Sequence, residues 1–348
     1  MTYGRAFALG VEEELLLVDP DTHLLTHDAE RVLARVPAMK PDVYSALLES
    51  ASPISADATE AVGHLAVVRA QAREAGATLM GAGIHPAGPF GEAPHVAQDR
   101  YREVGDQLRG LARRTPTCAL HVHVGMPDQD TALRVYNGMR EHLPLIQALA
   151  TNSPFWHGID SGLQSSRAQM FRAYPRAEIT QAFASWDEYE ASVASVLEAG
   201  DLPDYTFMWW DLRPHPKLGT VEVRAMDSQS SLRDALGLAA LIHGLARRAA
   251  ESASPGQAGW TPREALVESS FRAARDGIGA TLWHDGALRP VHEIARAAMA
   301  DLDPDPGLEE IRRMLAEGNG AARQRAAYER GGMTALLATL VAEASAGL

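Results

Sequence analysis

The chain is short of cysteine. Cys118 is the single one in 348 residues, which excludes an intramolecular disulfide and any zinc cluster built on cysteine. It also lacks a long hydrophobic run. No stretch approaches the ~20 apolar residues of a membrane span, and the first residues do not follow the basic-then-apolar order of a secretory signal, because Glu12, Glu13 and Glu14 come too early. A cytoplasmic protein with no membrane partner is expected. Positive charge is scarce too. Lys and Arg number 32 against 45 Asp and Glu, for a formal charge of −13, and a general nucleic-acid surface needs a basic face. Internal repeats and low-complexity linkers are missing, so residues 1–348 read as one domain. Hydrophobic residues make up 46%, enough for a sizeable core.

What is present is a set of strands with unusual polar faces. In Gly219–Asp227 the alternation puts Val221, Val223 and Ala225 on one side and Thr220, Glu222 and Arg224 on the other, the period of a half-buried strand. Leu9–Pro20 repeats the device. Glu12 and Glu14 share one face, and Val11, Glu13, Leu15 and Leu17 share the other. Adjacent carboxylates are a poor choice for a strand, since glutamate has low strand propensity and like charges repel. In Ala119–Gly125, His121 and His123 share a face opposite Leu120, Val122 and Val124. A fourth strand, Tyr44–Pro53, carries Glu49 as its one charge. Each strand alone suits a solvated edge. Together, carboxylates and imidazoles converging without nearby lysines point to a concavity on a sheet that holds cations. Glu13, on the apolar face, is expected to be structural and to pair with an arginine. His123 is expected to support His121.

The remaining pattern is mostly helical. Asp57–Gly76 opens with a capping-box arrangement of Asp57 and Glu60. Helices are also predicted over 95–114, 130–150, 164–173 and 186–199. Residues 151–162 form a loop rich in polar, aromatic and glycine positions, of the kind that carries function on a rigid scaffold. A strand over 207–214 is predicted to pair with 219–227 as an antiparallel hairpin. From Ser230 onward the chain reads as almost wholly helical, with Gly318-Asn319-Gly320 breaking it just before Arg323 and Arg325. The fold class is α+β: a curved antiparallel sheet of about six strands, covered by helices on its apolar face, with a helical C-terminal third.

The runs GVEEELLLVD, ESASP, HVHVG, NSPFWHGIDSG with SSR, GTVEVRAMDSQ and GNGAARQR resemble, in order and over nearly the whole chain, the type-2 glutamate–cysteine ligase family of carboxylate–amine ligases. The resemblance implies a glutamine-synthetase-like fold whose antiparallel sheet curls around the site. It implies a reaction in which the γ-carboxylate of glutamate takes the γ-phosphoryl group of ATP and the acyl phosphate is displaced by an amine, typically that of cysteine. Phosphoryl transfer needs positioning and charge neutralisation. By the family pattern Glu12, Glu14, Glu49, His121 and Glu222 are the metal ligands, and Arg224 neutralises the transferred phosphoryl group. Asn152 and Arg167 grip substrate. For Arg323 and Arg325, beside the glycine turn, two readings stand: contact with phosphate through a glycine-rich helix start, and a plain interhelical turn. Magnesium is implied, and the imidazole extends this to manganese. A homo-oligomer is compatible with the resemblance. Two rivals exist: a metal-dependent amidohydrolase, which also uses His-x-His with carboxylates but on a parallel barrel, and a non-catalytic relative that binds an amino acid or nucleotide.

Overall fold

The structure is a computed structural model that describes residues 3–91, 93–252 and 259–348. Its strands are β1 (Leu9–Val18), β2 (Met39–Pro41), β3 (Leu47–Ala51), β4 (Thr78–Met80), β5 (Ala119–Gly125), β6 (Phe155–Trp156), β7 (Ile159–Asp160), β8 (Leu212–His215), β9 (Thr220–Asp227), β10 (Thr281–His284) and β11 (Ala287–Pro290). Its helices are α1 (Ala29–Leu33), α2 (Ala58–Glu74), α3 (Asp99–Leu108), α4 (Gln129–Leu149), α5 (Ser166–Phe171), α6 (Trp186–Ala199), α7 (Leu232–Glu251), α8 (Arg263–Asp276), α9 (Val291–Ala300), α10 (Leu308–Glu317) and α11 (Gly320–Ser345).

Seven strands form one sheet in the order β2-β3-β1-β5-β9-β8, with β4 paired to the far end of β1. Every pairing is antiparallel. That excludes the parallel barrel on which the amidohydrolase reading depended. The alternation read in the sequence decides which face is dry. Val11, Leu120, Val122, Val124, Val221 and Val223 are buried in one cluster with Leu65 of α2, Val135 and Met139 of α4, and Leu238 and Ile242 of α7. The opposite face keeps the charged residues. It is not open to solvent, because α3 lies over part of it.

Local chemistry sets the ends of these elements. Asp57 caps α2 by accepting the Glu60 N–H at 2.9 Å, and Glu60 Oε2 reaches back to the Ala56 N–H at 2.6 Å. Two such reciprocal bonds satisfy donors that a helix start would otherwise leave unpaired. Glu13 sits on the apolar face as its parity requires, and there it meets Arg69 of α2 at 2.6 Å, both side chains nearly inaccessible.

Two expectations change. The strand read over 207–214 is a short helical turn at Tyr205–Phe207 followed by β8 alone, although its hairpin with β9 is present. The C-terminal third is not wholly helical, because β10 and β11 form a separate hairpin. Its turn is Asp285-Gly286, with φ of 48° and 74°, and a two-residue turn with both φ positive matches the twist of paired strands. Among the described residues no helix is long and apolar enough to cross a membrane.

Candidate active site

The polar face is assembled by register. Glu12 on β1 stands opposite His121 on β5, and Glu14 stands opposite Glu49 on β3. His123 faces Glu222 on β9, and Glu222 in turn faces Arg213 on β8. Side chains on one sheet face at facing positions come within reach of each other, so five strands bring these groups to one place. A cavity of about 320 Å³ lies over them. Glu12, Glu14, Glu49, His121, Arg167 and Arg224 line it from the sheet side and from α5, while Tyr101, Val104 and Leu108 of α3 close it from above.

At the centre His123 Nε2 lies 3.5 Å from Glu12 Oε1 and 3.8 Å from Glu222 Oε1. His121 Nδ1 lies 3.6 Å from Glu12 Oε2 and 4.0 Å from Glu222 Oε1. One ligand atom each from Glu12, His123 and Glu222 fit within 4.8 Å of one another. His123 Nε2 is buried and has no hydrogen-bond partner, while Nδ1 is engaged with Thr220 Oγ1 at 3.1 Å. An orphaned imidazole nitrogen aimed between two carboxylates fits a divalent cation.

The charges are held unevenly. Burial alone would raise the Glu12 carboxyl, but the two imidazoles outweigh it and hold Glu12 well below the usual range. Burial likewise opposes ionisation of Glu222, and Arg224, Arg213 and the histidines overcome it. Glu14 and Glu49 go the other way. Burial raises both; Asp42 and Glu49 add to it for Glu14, while Glu12 and Asp42 push Glu49 up to about 7. His121 is pushed down to about 4 by burial and by Arg224. His123 is raised, its burial overcome by Glu222 and Glu12. Carboxylates buried face to face with raised affinity for protons lack positive charge, which cations or a cationic group supply.

Arg213 and Arg224 divide Glu222 between them. Arg213 donates to Oε2 from Nε at 3.1 Å and from Nη2 at 2.8 Å, and Arg224 Nη1 bonds Oε1. Arg167 is 4% exposed and reaches the cavity from the second residue of α5.

Three residues singled out from the sequence do not come to this cavity. The Asn152 side chain is fully buried and donates to Gly81 O at 3.1 Å and Ser228 O at 2.8 Å, so its amide is occupied by the backbone. Arg323 is held by Asp234 and by Glu343, the latter at 2.8 Å. Arg325 is held by Asp160 and by Leu163 O, at 2.8 Å to the carbonyl. The glycine turn before them is a helix start capped by Asn319, whose amide nitrogen ties it to Ala148 O, Leu149 O and Thr151 Oγ1. Four residues that converge here were missed as site residues. His123 was read as support. Arg213 was visible as the residue facing Glu222 in the hairpin. Asp42 lines the cavity from beyond β2, with no local signal. Asp227 would fall on the apolar face by strict alternation, and a bulge in β9 brings it to the polar one.

With this geometry in hand, the comparisons with known proteins are direct. A family model described as glutamate-cysteine ligase family 2 matches residues 8–340. The chain is similar, at 36% identity over 347 residues and 94% of this chain against 92% of the other, to a Rubrobacter xylanophilus protein whose name, glutamate–cysteine ligase 2-1, is itself provisional. It is 32% identical to a glutamate–cysteine ligase of Natronomonas pharaonis, over 98% of this chain and 97% of that one. The crystal structure of glutamate–cysteine ligase from Francisella tularensis in complex with AMP superposes with a TM-score of 0.73 at 12% identity, covering 99% of this chain and 89% of that chain, a likeness of fold.

Proposed function

The chain belongs to glutamate-cysteine ligase family 2, and from that premise we propose that it joins the γ-carboxylate of glutamate to an amine, cysteine in the first instance, using ATP. A carboxylate oxygen attacks the γ-phosphorus and ADP leaves. The amine nitrogen then attacks the acyl carbon of the acyl phosphate, and phosphate and a proton leave. The observation that carries this reading is the convergence of Glu12, His123 and Glu222 within 4.8 Å, in one site with Arg224 and Arg167. A hydrolytic site needs no second arginine aimed at the cation residues, whereas phosphoryl transfer needs dispersed negative charge held from several sides. The AMP described with the Francisella protein supports a nucleotide in this fold.

In this reading Arg224 meets the transferring phosphoryl oxygens and Arg167 holds a carboxylate of the amino-acid substrate. Glu12, His123 and Glu222 would hold a magnesium or manganese ion, with His121, Glu14 and Glu49 beside it. Such an ion supplies charge neutralisation on the phosphoryl oxygens. The aromatic and aliphatic wall from α3 covers one side of the cavity and would limit the approach of water to an acyl phosphate there. The test is purified protein with ATP, magnesium and glutamate, screened against each amino acid for ADP release and product mass. The expected result is ADP, phosphate and a γ-glutamyl amide. AMP and pyrophosphate would overturn the acyl phosphate, and no nucleotide turnover across the screen would favour the non-catalytic relative.

A further inference from the structure

The strand that carries Glu222 and Arg224 does not run evenly. The pairing of β5 with β9 slips between Leu120 and Val122, so that Arg224 and Ala225 lie across from His121 alone. An extra residue of this kind re-aims every side chain beyond it. Met226 drops into the apolar core, and Asp227 comes up on the polar side opposite Ala119. There its carboxylate is 2% exposed and fully engaged. Oδ2 accepts the Asn152 N–H at 2.8 Å and the Ser153 hydroxyl at 2.7 Å, and Oδ1 accepts the Ser165 hydroxyl at 2.8 Å. Gly83 makes room for it, since a Cβ there would stand 2.6 Å from Asp227 Cγ.

Having given their protons to Asp227, the two serines offer only lone pairs to the rest of the site. Those lone pairs face the first turn of α5. Ser153 Oγ accepts the Arg167 N–H at 3.2 Å and Ser165 Oγ accepts the Ala168 N–H at 3.1 Å. Arg167 Nη1 lies 3.9 Å from Asp227 Oδ1, its guanidinium rests over the Phe171 ring at 5.2 Å, and its Nε is buried without a partner.

We infer that Asp227 is a positioning residue: through the hydroxyls of Ser153 and Ser165 it fixes how Arg167 enters the cavity, and so sets the span between the substrate arginine and the Glu222–Arg224 end of the same strand. The role of Arg167 in this chain of contacts rests on the ligase reading; the chain of contacts itself does not. Such a link matters because Arg167, in that reading, holds the amino-acid substrate before and during the reaction, so displacing it weakens both states alike and raises KM while sparing kcat.

Asp227→Asn keeps the shape. Its amide nitrogen must either face the Asn152 N–H, donor against donor, or face Ser165 and force that hydroxyl proton elsewhere. The expected effect is a rise in KM for glutamate on the order of tenfold to a hundredfold, with kcat changed far less. Coupling to Arg167 separates this from a general structural role. In an Arg167→Gln background, Asp227→Asn is expected to leave KM where Arg167→Gln alone put it, whereas full multiplication of the two effects overturns the inference. A crystal structure of Asp227→Asn gives a readout that does not depend on activity. The Arg167 guanidinium is expected to leave the cavity wall while Glu12, His123 and Glu222 stay in place, and an unmoved Arg167 overturns the inference whatever the substrate. If the unmodified protein does not turn over ATP with glutamate, the ligase reading falls and the crystal structure still decides the positioning role. Should Asp227→Asn fail to fold, Ser165→Ala, which removes a single link, is expected to show the same displacement and the same coupling on a smaller scale, and an unmoved Arg167 there counts equally against it.

Discussion

Arg224 is the residue whose neighbours leave it least choice. One end of its guanidinium is bonded to Glu222 Oε1, its Nε is buried without a partner, and burial, which opposes its charge, is overcome by Glu222, Glu14 and Glu12. A planar fork with a free edge toward a cavity suits a phosphoryl group better than an ammonium does. Arg224→Lys is therefore expected to lower kcat on the order of 10²- to 10³-fold, as for loss of one preorganised charge-stabilising donor, with KM for ATP and glutamate nearly unchanged and the thermal melt unaltered. A collapse of the melt in place of activity would return Arg224 to a structural role. His85, away from this site, reads out burial alone. Its Nε2 bonds His23 O at 2.8 Å and its Nδ1 accepts the Ala87 N–H at 3.2 Å, so the ring is satisfied only when neutral, and burial pushes its pKa down to about 4. Unfolding restores an ordinary affinity for protons. The unfolded chain then binds more protons than the native one between about pH 6.5 and pH 4, and stability present above that window is lost as pH falls through it. Roughly 2 kcal/mol should disappear between pH 7 and pH 5 through this one group. Urea unfolding at the two pH values should show that increment shrink in His85→Gln, and an undiminished pH dependence would assign it elsewhere.

At the scale of the element, β1 explains why three consecutive glutamates are tolerated. Glu12 and Glu14 face the cavity, while Glu13 turns into the core and is bound by Arg69 Nε and Nη2 at 3.0 and 2.6 Å and by the Ser50 hydroxyl at 3.2 Å. Arg69 also reaches Ser230 O at 2.7 Å, stitching α2 to the end of β9. Removing one partner of a buried pair leaves the other unpaired, at about 3–5 kcal/mol. Glu13→Gln should lose stability of that order in denaturant melts while the fraction that stays folded keeps its turnover per molecule; a stable but inactive variant would place Glu13 in the chemistry. This division was legible in the sequence because the period of two needs no partner information. The bulge was not. It depends on how β9 meets β5, so the alternation that places Glu222 and Arg224 does not carry through to Asp227, three residues later. The Asp285-Gly286 pair is itself a hairpin signal, lying within the stretch whose pattern is otherwise helical. Arg323 and Arg325 are the reverse case. A glycine-flanked helix start is written locally, but whether phosphate or Asp234 and Asp160 receive the arginines is decided by packing across the molecule.

For the whole molecule, the sheet supplies the floor of the site from residues that alternate, whereas its roof and far end come from segments distant in the chain: Tyr101 and Val104 on α3, and Asp42 beyond β2. No short-range pattern announces such neighbours, which is why the floor could be anticipated and the roof could not. The same layout concentrates buried negative charge on a floor that the folded chain alone only partly neutralises, since Glu14 is driven toward protonation by burial, Asp42 and Glu49, and Glu49 by burial, Glu12 and Asp42. A ligand that binds this floor and not the unfolded chain must stabilise the fold, by about 2.7 kcal/mol at a hundredfold excess over its dissociation constant. With an unfolding entropy of about 2.1 cal/mol/K per residue over 348 residues, that is a rise in Tm of about 4 °C. Manganese added to EDTA-treated protein should give this rise without nucleotide or substrate, and EDTA should reverse it. Glu222→Gln removes the charge at the centre of the Glu12–His123–Glu222 group and should abolish the rise, while Arg325→Gln, whose partner Asp160 lies outside the cavity lining, should leave it intact. A shift that survives in Glu222→Gln would place the cation elsewhere on this acidic chain and leave the carboxylates of β1, β3 and β9 to bind substrate directly.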